Sequence, residues 1–316
     1  MTRRILSIDG GGIKGVFPAS FLRSIEESVG RPVADYFDLI VGTSTGGIIA
    51  LGLGLGLPAS EVLRFYERHG PVIFGGRRRF QALRRLFRAK YDCVPLKQSL
   101  EQVFQARKLG ESKKRLVIPS LNIETGEVHI WKTAHSPRFE RDYRHAVVEV
   151  AMSTTAAPTY FSTYVSASGT PLIDGGIWAS NPVAIAAVEA VGILRWAAKD
   201  IRILSLGCTT TPLDLDWGRS HSLGMYGWAK GSIIDVFMAA QSNSATGMAQ
   251  HLLTDSGNLV RINPSVPGNR YALDDANEIL SLKGRGDSEA RNALPTLRPQ
   301  FFEEAVEDDF VPFHKL

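Results

Sequence analysis

The sequence predicts an α/β protein: a three-layer α/β/α sandwich around a mostly parallel sheet. Three observations carry that expectation. Short apolar runs alternate with helix-periodic segments along the chain. Glycine-rich turns sit where apolar runs pass into helices, at Gly10-Gly11-Gly12 and at Gly42-Thr43-Ser44-Thr45-Gly46. And Ile201–Leu206 is continuously apolar apart from Arg202 and Ser205, as in strands covered on both faces.

The elements follow in order. Arg3–Ile8 reads as the first strand. Val16–Val29 reads as a helix with Phe17, Phe21, Leu22, Ile25 and Val29 on its apolar side. Leu39-Ile40-Val41 is the next strand, and Ile48-Ile49-Ala50-Leu51 begins a buried helix. A further helix through Val62, Leu63, Phe65 and Tyr66 has Ser60 as its expected cap. Arg115–Ile123 and Val128–Lys132 flank the turn Glu124-Thr125-Gly126-Glu127 as a hairpin. Helices are expected over His145–Ser153, over Pro182–Leu194 with its proline in the first turn, and over Gly224–Ala240, Asn243–Leu253 and Pro299–Ala305. With no internal repeat or low-complexity linker, residues 1–316 are expected to form one domain.

At 316 residues the chain is long enough to bury a large core, and 44% hydrophobic with 22% charged residues is ordinary for a globular protein. A formal net charge of +4 is too small to indicate a nucleic-acid polymer as partner. The two cysteines, Cys93 and Cys208, form neither a disulfide framework nor a metal-ligand spacing, which fits a cytoplasmic protein. Ile5–Ile8 ahead of Asp9 is too short for a signal-peptide core. Leu39–Ala59 is uncharged and long enough to cross a bilayer, but its six glycines and Thr43-Ser44-Thr45 suit a buried strand, turn and helix better.

The pentapeptide at 42–46 is a G-x-S-x-G between a strand and a helix, the context in which a serine becomes an exposed nucleophile on a tight turn. Gly42 and Gly46 permit the close strand–helix approach, and Ser44 would sit at a helix N-terminus that favours developing negative charge. Asp9-Gly10-Gly11-Gly12-Ile13-Lys14-Gly15 also satisfies G-x-G-x-x-G, so a nucleotide-phosphate loop is an alternative. That reading requires an acidic residue ending the next strand, which here ends in the serine turn instead. Read together, the two loops make an oxyanion hole: N–H groups of Gly10, Gly11, Gly12 and Thr45 facing a carbonyl attacked by Ser44. For the base, His221 and His251 are downstream candidates for a triad. Asp174, after the apolar run Pro171-Leu172-Ile173 and before Gly175-Gly176, is the other, since partial burial would raise its basicity.

These three motifs in this order resemble the patatin-like phospholipases: Asp9–Gly15 is similar to the family's D-G-G-G-x-[RK]-G loop, Gly42–Gly46 to its elbow, and Asp174-Gly175-Gly176 to its D-G-[GA] motif. Ser153–Phe161 and Asn181-Pro182 are similar to further family segments. Lys14 stands where arginine is frequent. The resemblance implies a Ser44–Asp174 dyad without metal, cofactor or catalytic histidine, hydrolysing acyl esters of membrane phospholipids through an acyl-enzyme. Ser7–Ala19, Ala34–Asp38 and Gly70–Gly76 are similar to the family's bacterial antiphage effectors. That similarity implies activation by a cyclic dinucleotide such as cyclic GMP-AMP, at a site the sequence does not locate, and action at the inner face of the membrane. A homo-oligomer is compatible with the sequence. A constitutive lipid acyl hydrolase is the alternative within the same chemistry. The segment 71–95 carries Arg77-Arg78-Arg79, Arg84-Arg85, Arg88 and Lys90 among apolar residues and is expected to be a solvated face, a cap or lid, or a ligand contact.

Overall fold

In the computed structural model, residues 2–75, 89–212, 233–253, 256–266, 270–306 and 310–316 are described. Among the described residues eight strands form one sheet: β1 (Arg3–Ile8), β2 (Leu39–Gly42), β3 (Arg115–Asn122), β4 (Val128–Lys132), β5 (Tyr164–Val165), β6 (Pro171–Asp174), β7 (Ile201–Leu206) and β8 (Leu259–Ile262). The order is β5-β6-β3-β2-β1-β7-β8, with β4 also on β3. Strands β3, β2, β1, β7 and β8 are mutually parallel where they pair, while β4 and β6 run antiparallel to β3.

Side-chain alternation along the strands divides the interior into two cores. Leu6, Ile8, Ile40, Leu116, Ile118, Leu204 and Leu206 face one side. There they meet α1 (Val16–Val29), α2 (Thr45–Gly54), α3 (Ala59–Phe74), α4 (Val94–Phe104), α5 (Val147–Thr154) and, last in the chain, α9 (Ile279–Leu297). Ile5, Leu39, Val41, Val117, Ile201 and Ile203 face the other, against α7 (Val183–Val188) and α8 (Ile233–Leu252). Between β6 and α7 lies the short α6 (Gly176–Ala179). Helices thus cover both faces of the sheet, the expected three-layer sandwich.

Several local expectations change. Helix α3 begins at Ala59, so Ser60 lies inside its first turn, and the free N–H of Ala59 is taken by Glu26 Oε1 at 3.0 Å. The two helices expected between 224 and 253 form one helix where described, α8. Helix α9 was not expected, because Gly284, Gly286 and Pro295 break the sequence signal; the helix expected over 299–305 is instead the π-type turn Arg298–Phe302 at its end. Strand β8 and helix α4 were likewise not anticipated.

Gly286 is where α9 crosses α1. A Cβ there would lie 2.5 Å from the Phe17 carbonyl oxygen and 2.8 Å from Ser20 Cβ, whereas at Gly284 nothing lies within 4 Å. The two glycines therefore respond oppositely to alanine. Gly284→Ala raises stability by up to about 1 kcal/mol through helix propensity. Gly286→Ala lowers it by about 1–3 kcal/mol, because the backbone it meets cannot yield as a side chain would. Urea midpoints with unchanged slopes check both.

Candidate active site

Strand β3 has β4 along one edge and two strands end to end along the other. Its first half pairs with β2 (Val41 opposite Val117) and its second half with β6 (Ser120 opposite Asp174). Because β2 is parallel and β6 antiparallel to β3, their C-terminal ends point at each other across a gap. Pro119 lies at that gap; its neighbours Leu116 and Asn122 direct their backbone groups to the β4 side, so alternation turns Pro119 toward the gap. Having no N–H, it leaves no unpaired donor there.

Ser44 and Asp174 emerge at these facing ends. Ser44 has φ 55° and ψ −121°, a positive φ that a non-glycine residue adopts at a cost. It precedes α2 at the position where serine ordinarily caps a helix with its hydroxyl, yet here it makes no such bond. Its Oγ instead donates to Asp174 Oδ2 at 2.5 Å, and both residues are buried. The turn is this tight because Gly42 and Gly46 let backbones touch: a Cβ on Gly42 would overlap the Gly46 carbonyl, and one on Gly46 the Ile8 carbonyl. The Ser44 N–H donates to Thr154 Oγ1 at 3.0 Å, and Thr154 Oγ1 donates to Pro119 O at 2.6 Å, tying the elbow to the gap.

The second carboxylate oxygen of Asp174 accepts from Gly176 N at 2.6 Å. Burial pushes the Asp174 pKa up to about 6, with the bonds from Ser44 and Gly176 opposing the rise. The carboxylate is therefore more basic than in water and still ionised at neutral pH.

The glycine loop lies beside the elbow. Gly10 N–H donates to Ser180 O at 2.8 Å, so this expected oxyanion donor is already engaged. Ile13 N–H donates to Leu273 O at 2.8 Å. Between these two anchors, the N–H groups of Gly11 and Gly12 have no acceptor among the described residues. Thr45 is the first residue of α2, so its N–H has no intrahelical acceptor. Its side chain is fixed by donating to Tyr66 Oη at 2.7 Å while Tyr66 donates back to Thr45 O at 2.9 Å. Gly15 is the contact point of the two loops, where a Cβ would overlap the Thr45 hydroxyl. Lys14 is largely buried, donates to Thr209 O at 3.4 Å, and has its pKa lowered by burial.

Asp9 opens the loop from a buried position. Arg261 of β8 forks onto its carboxylate, with Nη1 to Oδ1 at 2.8 Å, Nη2 to Oδ2, and a further bond from Nη1 to Ser205 Oγ at 2.8 Å. Burial raises the Asp9 pKa above its ordinary value, and the Arg261 charge and hydrogen bonds oppose that rise. The pairing, along with the roles of Thr154 and Ser180, was not read from the sequence. One signal was present: Arg261 is the single charge in the apolar run Leu259-Val260-Arg261-Ile262.

Of the histidines considered, His251 is exposed on α8; His221 lies outside the described residues, as do the six arginines of the basic segment. Lys90 at its end ion-pairs with Asp274, which also accepts from Tyr91 Oη at 2.5 Å. Cys208 is buried, its pKa pushed up to about 12 by burial. Among the described residues no cluster of His, Cys, Asp or Glu could hold a metal ion, and no helix is long and apolar enough to cross a membrane.

Comparison with known proteins gives the family. Residues 6–187, more than half of the chain, match the model of the patatin-like phospholipases. The chain belongs to that family. It is 35% identical over 311 residues to a cGAMP-activated phospholipase of Pseudomonas aeruginosa, spanning 94% of this chain and 91% of that protein. A cGAMP-activated phospholipase of Vibrio cholerae is 33% identical, spanning 90% and 89%. Patatin-T5 of Solanum tuberosum is 26% identical, spanning 96% and 87%. This patatin-type phospholipase is a carboxylic ester hydrolase.

The Asp9–Arg261 pair gives the site a testable support. Arg261→Gln leaves a buried carboxylate without its counter-charge and lowers stability by about 3–5 kcal/mol. Adding Asp9→Asn restores part of that loss. Denaturant unfolding of the two single variants and the double variant measures the coupling.

Proposed function

We propose that this patatin-like phospholipase cleaves acyl esters of membrane phospholipids with Ser44 as nucleophile and Asp174 as general base. The observation that carries this reading is the buried 2.5 Å hydrogen bond from Ser44 Oγ to Asp174 Oδ2. A hydroxyl held at that distance from a desolvated carboxylate has its proton acceptor already in place. As Oγ attacks the ester carbonyl, its proton passes to Asp174 and the carbonyl oxygen becomes an oxyanion. The N–H groups of Gly11, Gly12 and Thr45 are the donors available to it, and one such donor is typically worth about 3 kcal/mol. Collapse expels the lysophospholipid, which takes the proton from Asp174 and leaves the acyl group on Ser44. Water, deprotonated by the same carboxylate, then releases the fatty acid.

We further propose that a cyclic dinucleotide such as cyclic GMP-AMP switches this activity on. Two relatives named cGAMP-activated phospholipases align over nine-tenths or so of both chains, which supports carrying the regulation across with the catalytic domain. Fatty-acid release from phospholipid vesicles, with and without a panel of cyclic dinucleotides, tests this. Stimulation of at least tenfold by one of them is expected; equal rates throughout would leave a constitutive hydrolase.

Two further outcomes follow from the dyad. Ser44→Ala and Asp174→Asn each reduce kcat by at least about 10³-fold, and the double variant is little worse than either, as for residues acting as a unit. The base must be ionised, so kcat/KM rises with pH along a limb centred near the Asp174 pKa of about 6. That limb is absent from the residual activity of Asp174→Asn.

A further inference from the structure

Helix α8 buries one side, and among the described residues nothing covers the other. Its inner side is seated on α7 and β8: Ala249 is buried, Asn181 Nδ2 donates to Thr246 Oγ1 at 3.1 Å, and Arg261 reaches Ser242 Oγ at 3.5 Å. On the outer side, Ile234 is 71% exposed, Phe237 68% and Met248 58%, with Ile233 and Leu252 also exposed. At 3.6 residues per turn these five side chains fall within a sector of about 100°. A stripe of this size turned to solvent marks an interaction surface.

Two features say what covers it. The first is position. Gln241, within the same sector, donates from Nε2 to Ile177 O at 3.1 Å and accepts from Ser180 N at 3.0 Å. Ile177, itself 53% exposed, is three residues from Asp174, and Ser180 O holds Gly10 of the glycine loop. The stripe is therefore continuous with the rim of the catalytic gap. The second is charge. The only ionisable residues of α8 are Asp235 and His251, and it carries no lysine or arginine. This is unlike a basic amphipathic helix that binds anionic lipid by counter-charge. A stripe with no lysine, arginine or carboxylate, whose polar members are Gln241, Ser244 and His251, fits the hydrocarbon boundary of a bilayer beside a site that consumes phospholipid.

We propose that the outer face of α8, with Ile177, docks on the phospholipid bilayer and lays the mouth of the active site against it, by apolar insertion rather than electrostatic attraction. The helix would lie on the membrane, in keeping with the absence of a membrane-crossing helix among the described residues. The inference rests on the phospholipase reading above for the identity of the surface.

The test uses the full-length protein with cyclic GMP-AMP present throughout. Co-sedimentation with phosphatidylcholine vesicles is measured at low and high salt, alongside hydrolysis of those vesicles and of a short-chain ester kept below its aggregation limit. The double variant Ile234→Ser/Phe237→Ser, whose positions are solvent-exposed and so tolerate serine in the fold, is expected to lose at least tenfold in vesicle partitioning and vesicle hydrolysis. Its kcat/KM on the dispersed ester stays within twofold of the parent. Phe237→Leu retains vesicle binding, and salt changes the parent's binding by less than twofold. Undiminished vesicle binding by the serine variant would overturn the proposal, as would binding by the parent that high salt abolishes. A concentration-dependent dimer that the serine substitutions dissociate, with vesicle binding intact, would overturn it in favour of a second copy of the chain. Failure of the parent to hydrolyse either substrate would instead strike the phospholipase reading, since vesicle partitioning is measured without turnover.

Discussion

Everything at the active site depends on one strand being shared. Strand β3 gives half of one edge to β2 and half to β6, and those two strands, running in opposite directions, end facing each other. Ser44 leaves the first and Asp174 the second, so two residues 130 positions apart meet at 2.5 Å without any loop having to reach. The backbone ladder fixes that meeting. Shifting β6 by one residue against β3 would turn Asp174 to the opposite face of the sheet. The gap between the strand ends would expose unpaired backbone in most sheets. Here Pro119 removes the donor, and Thr154 satisfies its carbonyl while holding the Ser44 amide.

Direct contact between serine and carboxylate imposes its own conditions. In water a carboxylate titrates near 4 and is a poor base for a hydroxyl. The fold raises it by excluding solvent, and the same exclusion makes the charged form unfavourable in the resting protein. The strained serine adds to that cost. Both are borne by the surrounding packing: the two apolar cores cover the sheet on either side of the gap, and the α2 turn is locked against β1 by glycines that no side chain could replace. The buried Asp9–Arg261 pair extends the pattern, anchoring the glycine loop by charge at the point where β1 ends.

What the sequence revealed was what is local. Glycines that permit sharp turns, and short apolar runs with period-2 or continuous burial, are written within a few residues, so β1, β2, β3, β7 and the three motifs at strand ends were legible. Features that depend on distant partners were not. Asp9 and Arg261 lie 252 residues apart and share no pattern. Helix α9 was hidden because glycines weaken helix propensity, and the reason for Gly286 is the backbone of Phe17 on another helix. Ser60 looked like a cap because capping was assumed to be local, whereas Glu26 supplies it from α1. Gly10 was misjudged as a free donor for a related reason: its N–H is claimed by Ser180, in a loop fixed by α8.

That last connection relates the site to its surroundings. A chain of bonds runs from Gln241 on α8 to Ser180 and from Ser180 to Gly10, next to the two glycine amides left without acceptors. The same segment is tied to the serine turn, where Thr43 Oγ1 donates to Ala179 O at 2.7 Å, so α8 is linked by hydrogen bonds to the elbow as well as to the glycine loop. Ser44 and Asp174 stand at strand ends of the sheet, and the glycine loop is held between the sheet and a helix on its far side. Oxyanion donors contribute to the rate through their preorganisation. In the proposed mechanism that preorganisation rests on the segment between β6 and α7, which Gln241, Gly10 and Thr43 all hold.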